Sequence, residues 1–183
     1  MKKVYLIAIG IILVFICNAQ NRLITKAATI SFYSKAPMEN IEATNKSGIS
    51  VIDKNTGQLE FSVLLKGFNF ERALMQEHFN ENYVESDQFP KAGFKGKITD
   101  QTKVNFAKDA IYNVPITGIL TLHGVSKEIT TTAATITIRN GITEGEAAFN
   151  INVADFNIKI PSIVKDKIAK TVKITVKATY QTL

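Results

Sequence analysis

From Ile30 to Tyr180 the chain alternates apolar and polar residues, segment after segment. In the last segment Val172, Ile174, Val176, Ala178 and Tyr180 fall on one side, and Thr171, Lys173, Thr175, Lys177 and Thr179 on the other. Period two marks a half-buried strand, because successive side chains leave opposite faces of the pleat. Many such strands with almost no helix to cover them must bury their apolar faces against one another. The sheet has to fold on itself.

The first residues stand apart from this pattern. Lys2 and Lys3 precede an unbroken apolar run from Val4 to Ile16, and Ala19 is a small residue just before Gln20. This is the layout of a secretory signal over residues 1–19, and the run is shorter than the roughly 20 residues of a membrane-spanning helix. The expectation is a periplasmic or secreted protein. Lipidation at Cys17 is the competing reading, weakened by Ile16 where a lipoprotein signal usually has Gly or Ala. Cleavage would remove the only cysteine and two charges of the formal +6. The exported part, residues 20–183, would then rely on its core without a disulfide. At about 160 residues it is ample for one domain.

The remaining basic residues concentrate at Lys165, Lys167, Lys170, Lys173 and Lys177. Such a run reads first as a solvated strand face that discourages edge pairing. Its second reading is contact with an anionic membrane surface, through Lys165, Lys167 and Lys170. No aromatic residues interleave with these lysines, which argues against nucleic acid. Nothing in the pattern sets the oligomeric state, a dimer included.

Along the chain, strands are expected around Ala28–Phe32, in a short extended piece from Met38 to Ala43, and from Gly48 to Asp53. The cluster Asp53-Lys54-Asn55-Thr56-Gly57 has turn chemistry and leads to an alternating Leu59, Phe61, Val63 and Leu65. Leu74, Met75, His78 and Phe79 then share one face of a short helix, with Asn69 placed to cap it. Strands resume at Phe94–Ile98, Val114–Leu122, Ala134–Ile138, Ala147–Val153 and Thr171–Tyr180, and the short connections make them antiparallel. About eight strands and one short helix leave a sandwich or a closed barrel, and a barrel of that size can enclose one ligand.

Catalytic chemistry is thinly represented. Two histidines and no exported cysteine make a poor zinc set, with His78 flanked only by Glu77 and Glu81. His123 near Ser126 lacks the strained Gly-x-Ser-x-Gly turn of a nucleophile. No glycine loop suited to a phosphate occurs. The expectation is a protein that is not an enzyme and needs no cofactor.

Two stretches resemble the YceI-like family of bacterial exported proteins. One runs from Phe68 through His78-Phe79 to Phe89-Pro90-Lys91-Ala92-Gly93-Phe94; the other is Thr117-Gly118-Ile119-Leu120-Thr121-Leu122-His123-Gly124-Val125-Ser126-Lys127-Glu128. The likeness extends from about Ala27 to Thr182, with departures at Arg72-Ala73-Leu74-Met75, which lacks the family's Asp, and at Val153-Ala154-Asp155-Phe156-Asn157, which lacks its Arg and Gly. The resemblance implies an extended, lipocalin-like antiparallel barrel with a helix at one end, holding a long-chain lipid such as a polyisoprenoid, an isoprenoid quinone or a fatty-acid derivative. Phe79, Phe89, Pro90, Gly118, Gly124 and Lys127 are then expected to shape turns and the barrel end. The expected cavity wall is Phe32, Phe61, Val63, Leu65, Phe94, Leu120, Leu122, Ile136, Ile138, Phe149, Ile151, Val172, Ile174 and Val176. A filled structural or adhesion sandwich needs the same residues at the same alternation, so it is the alternative.

Overall fold

The computed structural model describes residues 21–35, 40–160 and 169–183. Residues 1–19, Cys17, Lys165 and Lys167 lie outside these. The elements in chain order are β1 (Arg22–Lys35), β2 (Asn40–Asp53), β3 (Gln58–Leu64), β4 (Asn69–Phe70), α1 (Ala73–His78), β5 (Lys91–Ile98), β6 (Ala110–Asn113), β7 (Ile116–Leu122), β8 (Val125–Thr131), β9 (Ala134–Arg139), β10 (Ile142–Asn152) and β11 (Thr171–Thr182). All strands join one antiparallel sheet in the order β6-β9-β10-β11-β1-β2-β3-β5-β7-β8, with the two-residue β4 on β2.

The sheet curls until its last strand, β8, comes back against β10. β8 and β9 are nearly continuous in the chain, yet β8 pairs with β7 while β9 pairs with β10. At the bend between them, Ala148 of β10 donates its N–H to the Ala133 carbonyl (3.0 Å) and accepts from the Thr131 hydroxyl (2.7 Å). Beyond that point the ladder between β8 and β10 stays open, and the 3₁₀ turn Val153–Phe156 packs against β8. The result is an incompletely closed barrel.

β1 and β2 are longer than the alternation suggested, and bulges explain the difference. Register shifts lie between Thr25 and Ala28 and between Ala28 and Ile30. A bulge inserts one residue and resets the parity of every inward side chain after it. In β2 the buried residues accordingly pass from Ala43 and Asn45 to Ser50 and Ile52. The expected short piece and the following strand are one element.

The bulge is built around Asn45, which is wholly buried. Its Nδ2 donates to the Leu64 carbonyl (2.9 Å), and its Oδ1 accepts from the Ser47 N–H (2.8 Å) and hydroxyl (2.7 Å). Gly67 lies against it, since a Cβ there would stand 2.6 Å from Nδ2. One side chain thus fixes both the bulge and the turn after β3.

Two hydrophobic clusters divide the interior. Ile98, Val114, Ala134, Ile136 and Ile138 form one, closed over by Val104 and Phe106 from the loop after β5. The larger one lies toward α1 and includes Val63, Leu65, Phe68, Val84, Leu120, Ile151, Phe156 and Val172. Ala73 to Glu77 are mostly good helix formers, but six residues cannot hold a helix alone. Asn69 does not cap it: Arg72 is the N-cap residue, and Asn69 pairs with Thr44 in the β4–β2 ladder. The alternation Phe68-Asn69-Phe70 turns both rings inward and commits Asn69 to the sheet.

Asn45→Ala should lower stability by about 1–3 kcal/mol, the cost of leaving buried backbone groups unpaired. A denaturant midpoint equal to that of the parent would contradict this role.

Candidate functional site

A cavity of about 470 Å³ lies inside the curled sheet, within the range of small-molecule sites. It reaches from Arg72, Leu74 and His78 at the α1 end to Ile52, Leu59, Ile98 and Ile116 near the floor. Of the expected wall, Phe32, Phe61, Val63, Leu65, Phe94, Leu120, Leu122, Ile136, Phe149, Ile151, Val172, Ile174 and Val176 all line it. Ile138 does not. It is buried in the floor cluster, one turn of the alternation below Ile136 and opposite Ala110 of β6. The four-residue β6 carries little signal of its own, so nothing in the sequence showed that this part of β9 would be covered.

A curled sheet bearing Phe and Tyr on its concave face would ordinarily fill itself. Glycines prevent this by giving each ring a flat place on the wall. The Phe94 ring lies over Gly96 and Gly118, which face each other on β5 and β7; a Cβ on either would come within 2.6 Å of that ring. A Cβ at Gly48 would meet the tip of Phe61 at 2.7 Å, and one at Gly145 would meet the Tyr180 ring at 3.2 Å. Rings covering glycines on a neighbouring strand also restore packing to a backbone that has no side chain of its own.

The mouth is lined by a knot of phenylalanines, of which sequence reasoning assigned only Phe32 to the wall. Phe32 stacks on Phe79 (centroids 5.5 Å apart), and Phe70 meets Phe79 at 5.1 Å and Phe32 at 5.7 Å. Phe68 touches both Phe32 (5.5 Å) and Phe79 (5.7 Å). Each such pair adds about 0.5–1.5 kcal/mol beyond the area buried. Phe79, expected only to shape the barrel end, is therefore part of the cavity wall as well. After α1 the backbone widens to a π turn over Phe79–Tyr83, with the Val84 N–H donating to the Phe79 carbonyl (3.0 Å). This turn brings Tyr83 and Val84 to the lumen. The available clue was the Phe68-Asn69-Phe70 alternation just ahead of the helix.

The segment that follows is pinned to the barrel by His123. Its Nδ1 donates to the Phe156 carbonyl (3.0 Å), and its Nε2 is 2.6 Å from the Glu85 carboxyl group. Phe89 stands edge-on to the imidazole at 4.6 Å and fills the space beside Gly124. Glu85 and His123 both adopt left-handed backbone, φ 46° and 50°, to make this bridge. Ser126 bonds instead to Thr121 (2.8 Å), so both His123 nitrogens are engaged away from it. Among the described residues, no group of three His, Cys, Asp or Glu is arranged to hold a metal.

The strand lysines at 91, 95, 97, 173 and 177 are exposed. Lys95 pairs with Glu60 (3.6 Å) and Lys177 with Glu146 (3.4 Å) across neighbouring strands. Exposed pairs of this kind contribute little to stability. The lysines at 173 and 177 are outward residues of β11, matching the solvated-face reading.

An apolar cavity, a curled antiparallel sheet and a short helix at the mouth define a hollow barrel. The model of the YceI-like domain matches residues 22–180, and the chain belongs to that family. Among solved structures it is similar to a polyisoprenoid-binding domain from Saccharophagus degradans implicated in plant cell wall breakdown, with a TM-score of 0.71 and 15% identity, covering 90% of this chain and 99% of that one. It is also similar to BcnA of Burkholderia cenocepacia, with a TM-score of 0.66 and 20% identity over 85% of this chain and 96% of that one. The YceI protein of Campylobacter jejuni aligns at a TM-score of 0.50 and 15% identity, over 98% and 97%. At these identities the likeness concerns the fold. No curated protein matches the sequence.

Gly48→Ala should drive the Phe61 ring off the wall and into the lumen. Overpacking of this kind costs about 1–3 kcal/mol, and uptake of a labelled isoprenoid should fall in parallel. Full uptake by a folded variant would show that the glycine does not keep the cavity open.

Proposed function

We propose that this protein is a non-catalytic carrier or store for a long-chain lipid in the bacterial envelope. The ligand class is a polyisoprenoid, an isoprenoid quinone or a fatty-acid derivative. The observation that carries the reading is the continuous lumen, walled by aliphatic and aromatic side chains from one end of the barrel to the other. A filled sandwich acting through its surface has no use for such a volume.

The energetics suit a hydrocarbon chain. At about 30 Å³ per methylene-sized group, the volume of a water's share of the liquid, the cavity accepts on the order of fifteen groups. At roughly 0.8 kcal/mol each, they supply about 12 kcal/mol. An association cost near the lower bound, about 4 kcal/mol, leaves about 8 kcal/mol, which corresponds to micromolar binding. A longer chain would leave its remainder at the α1 mouth beside Leu74, which is 61% exposed.

Residues 1–19 serve in this reading as the export signal, placing the barrel in the periplasm or outside the cell. Lys170, with Lys165 and Lys167, would supply transient contact with an anionic membrane during loading. Native mass spectrometry of protein purified without detergent, followed by lipid extraction, should find a co-purifying lipid or stoichiometric uptake of labelled isoprenoid. Protein that is empty and stays empty would refute the carrier role.

A further inference from the structure

The lumen is not uniformly apolar. On β2, Ser50 is buried and turned inward, and its hydroxyl lies 3.1 Å from the Glu60 carbonyl and 2.9 Å from the Tyr180 hydroxyl. Ser50 and Tyr180 both line the cavity. β1 separates their strands, so Tyr180 reaches past a whole strand to meet Ser50. Gly145, whose Cβ would press on the Tyr180 ring at 3.2 Å, makes room for that reach.

This pair lies far from the mouth. Phe32 of the mouth cluster is opposite Ile174, six residues before Tyr180 on β11, and Ser50 is opposite Thr25, seven residues before Phe32 on β1. At the rise of a strand, both paths put the pair roughly 20 Å below the phenylalanines.

The hydrogen-bonding capacity there is only partly used. A serine hydroxyl has one proton and a tyrosine hydroxyl has one proton and two acceptor sites. If Ser50 donates to the Glu60 carbonyl, Tyr180 donates to Ser50 and its own oxygen remains open as an acceptor. If Ser50 instead donates to Tyr180, the phenolic proton is free to point into the lumen. The pair can therefore accept from a hydroxyl or donate to a carbonyl. Burial raises the Tyr180 pKa, so the phenol keeps its proton.

We propose that Tyr180, oriented by Ser50, anchors an uncharged oxygen group, a hydroxyl or a carbonyl, carried on the end of the lipid that enters the barrel first. The charge distribution separates this from an acid or phosphate. The lining residues with basic side chains, Arg72 and His78, are both at the α1 end, and Glu146 in the lining is paired with Lys177. Among the described residues the lining near Tyr180 holds no basic side chain, so a carboxylate carried down to it would bear its full desolvation cost. The anchor rests on the carrier reading and adds a direction to it: neutral oxygen inward, any charged group at the mouth.

The test is competition among 1-hexadecanol, hexadecane and hexadecanoate, supplied from neutral phosphatidylcholine vesicles and quantified in recovered protein by mass spectrometry. The hexadecanol-to-hexadecane ratio bound by the parent should fall roughly three- to tenfold in Tyr180→Phe, the worth of one neutral hydrogen bond. Gly145→Ala keeps the hydroxyl but displaces the ring by a few tenths of an ångström and should lower the same preference; it serves also where Tyr180→Phe folds poorly. Equal ratios in parent and variants, with all proteins binding lipid, overturn the anchor and leave the carrier standing. Preference for hexadecanoate over hexadecanol overturns the neutral class. Failure of the parent to take up any of the three refutes the carrier reading itself, and the anchor with it.

Discussion

The interior of this protein depends on where its aromatic rings lie. A strongly curled sheet brings its concave faces close together, and rings standing upright on them would interlock into an ordinary core. Here Phe61, Phe94 and Tyr180 lie against glycines at 48, 96, 118 and 145 and stay close to the wall. The glycine pair at 96 and 118 does this most fully, since both strands give up a side chain at the same level. Hydrophobic surface is thereby removed from bulk water without being consumed by contact with itself. Such a wall has unused dispersion contacts, and a hydrocarbon chain can supply them.

A hollow barrel needs its stability elsewhere, and the two ends provide it. The floor is a conventional packed cluster closed by Val104 and Phe106. The mouth is held by the four phenylalanines and by the His123–Glu85 bridge, which joins the segment after α1 to the β7–β8 turn and to Phe156. Strain at two left-handed residues is concentrated at that bridge. The lumen between them is left open, with the Ser50–Tyr180 pair toward its floor.

Much of this was legible from period two alone. The alternation identified which side chains face inward in β3, β5, β7, β10 and β11, because those strands carry no parity change. It failed where physics adds a residue or removes a neighbour. Bulges around Asn45 and Ala28 reset the pattern in β1 and β2 and made one strand look like two. Ile138 has the same alternation as Ile136, yet the covering β6 puts it in the floor. The mouth was misread because Phe68, Phe70 and Phe79 belong to different elements, and only tertiary packing unites them. Tyr180 sits in the apolar register of β11, but its value as a polar group depends on Ser50, which is far away in sequence. The family resemblance supplied the architecture that periodicity could not choose, a curled barrel over a flat sandwich.

Pressurised xenon in crystals of the protein would show whether the barrel is hollow, because xenon enters dry apolar space and is excluded from a packed interior. Ordered xenon is expected inside the barrel, between the Phe94 wall and the mouth phenylalanines. A xenon-free interior, with Phe61 and Phe94 turned inward and meshed across the sheet, would contradict it.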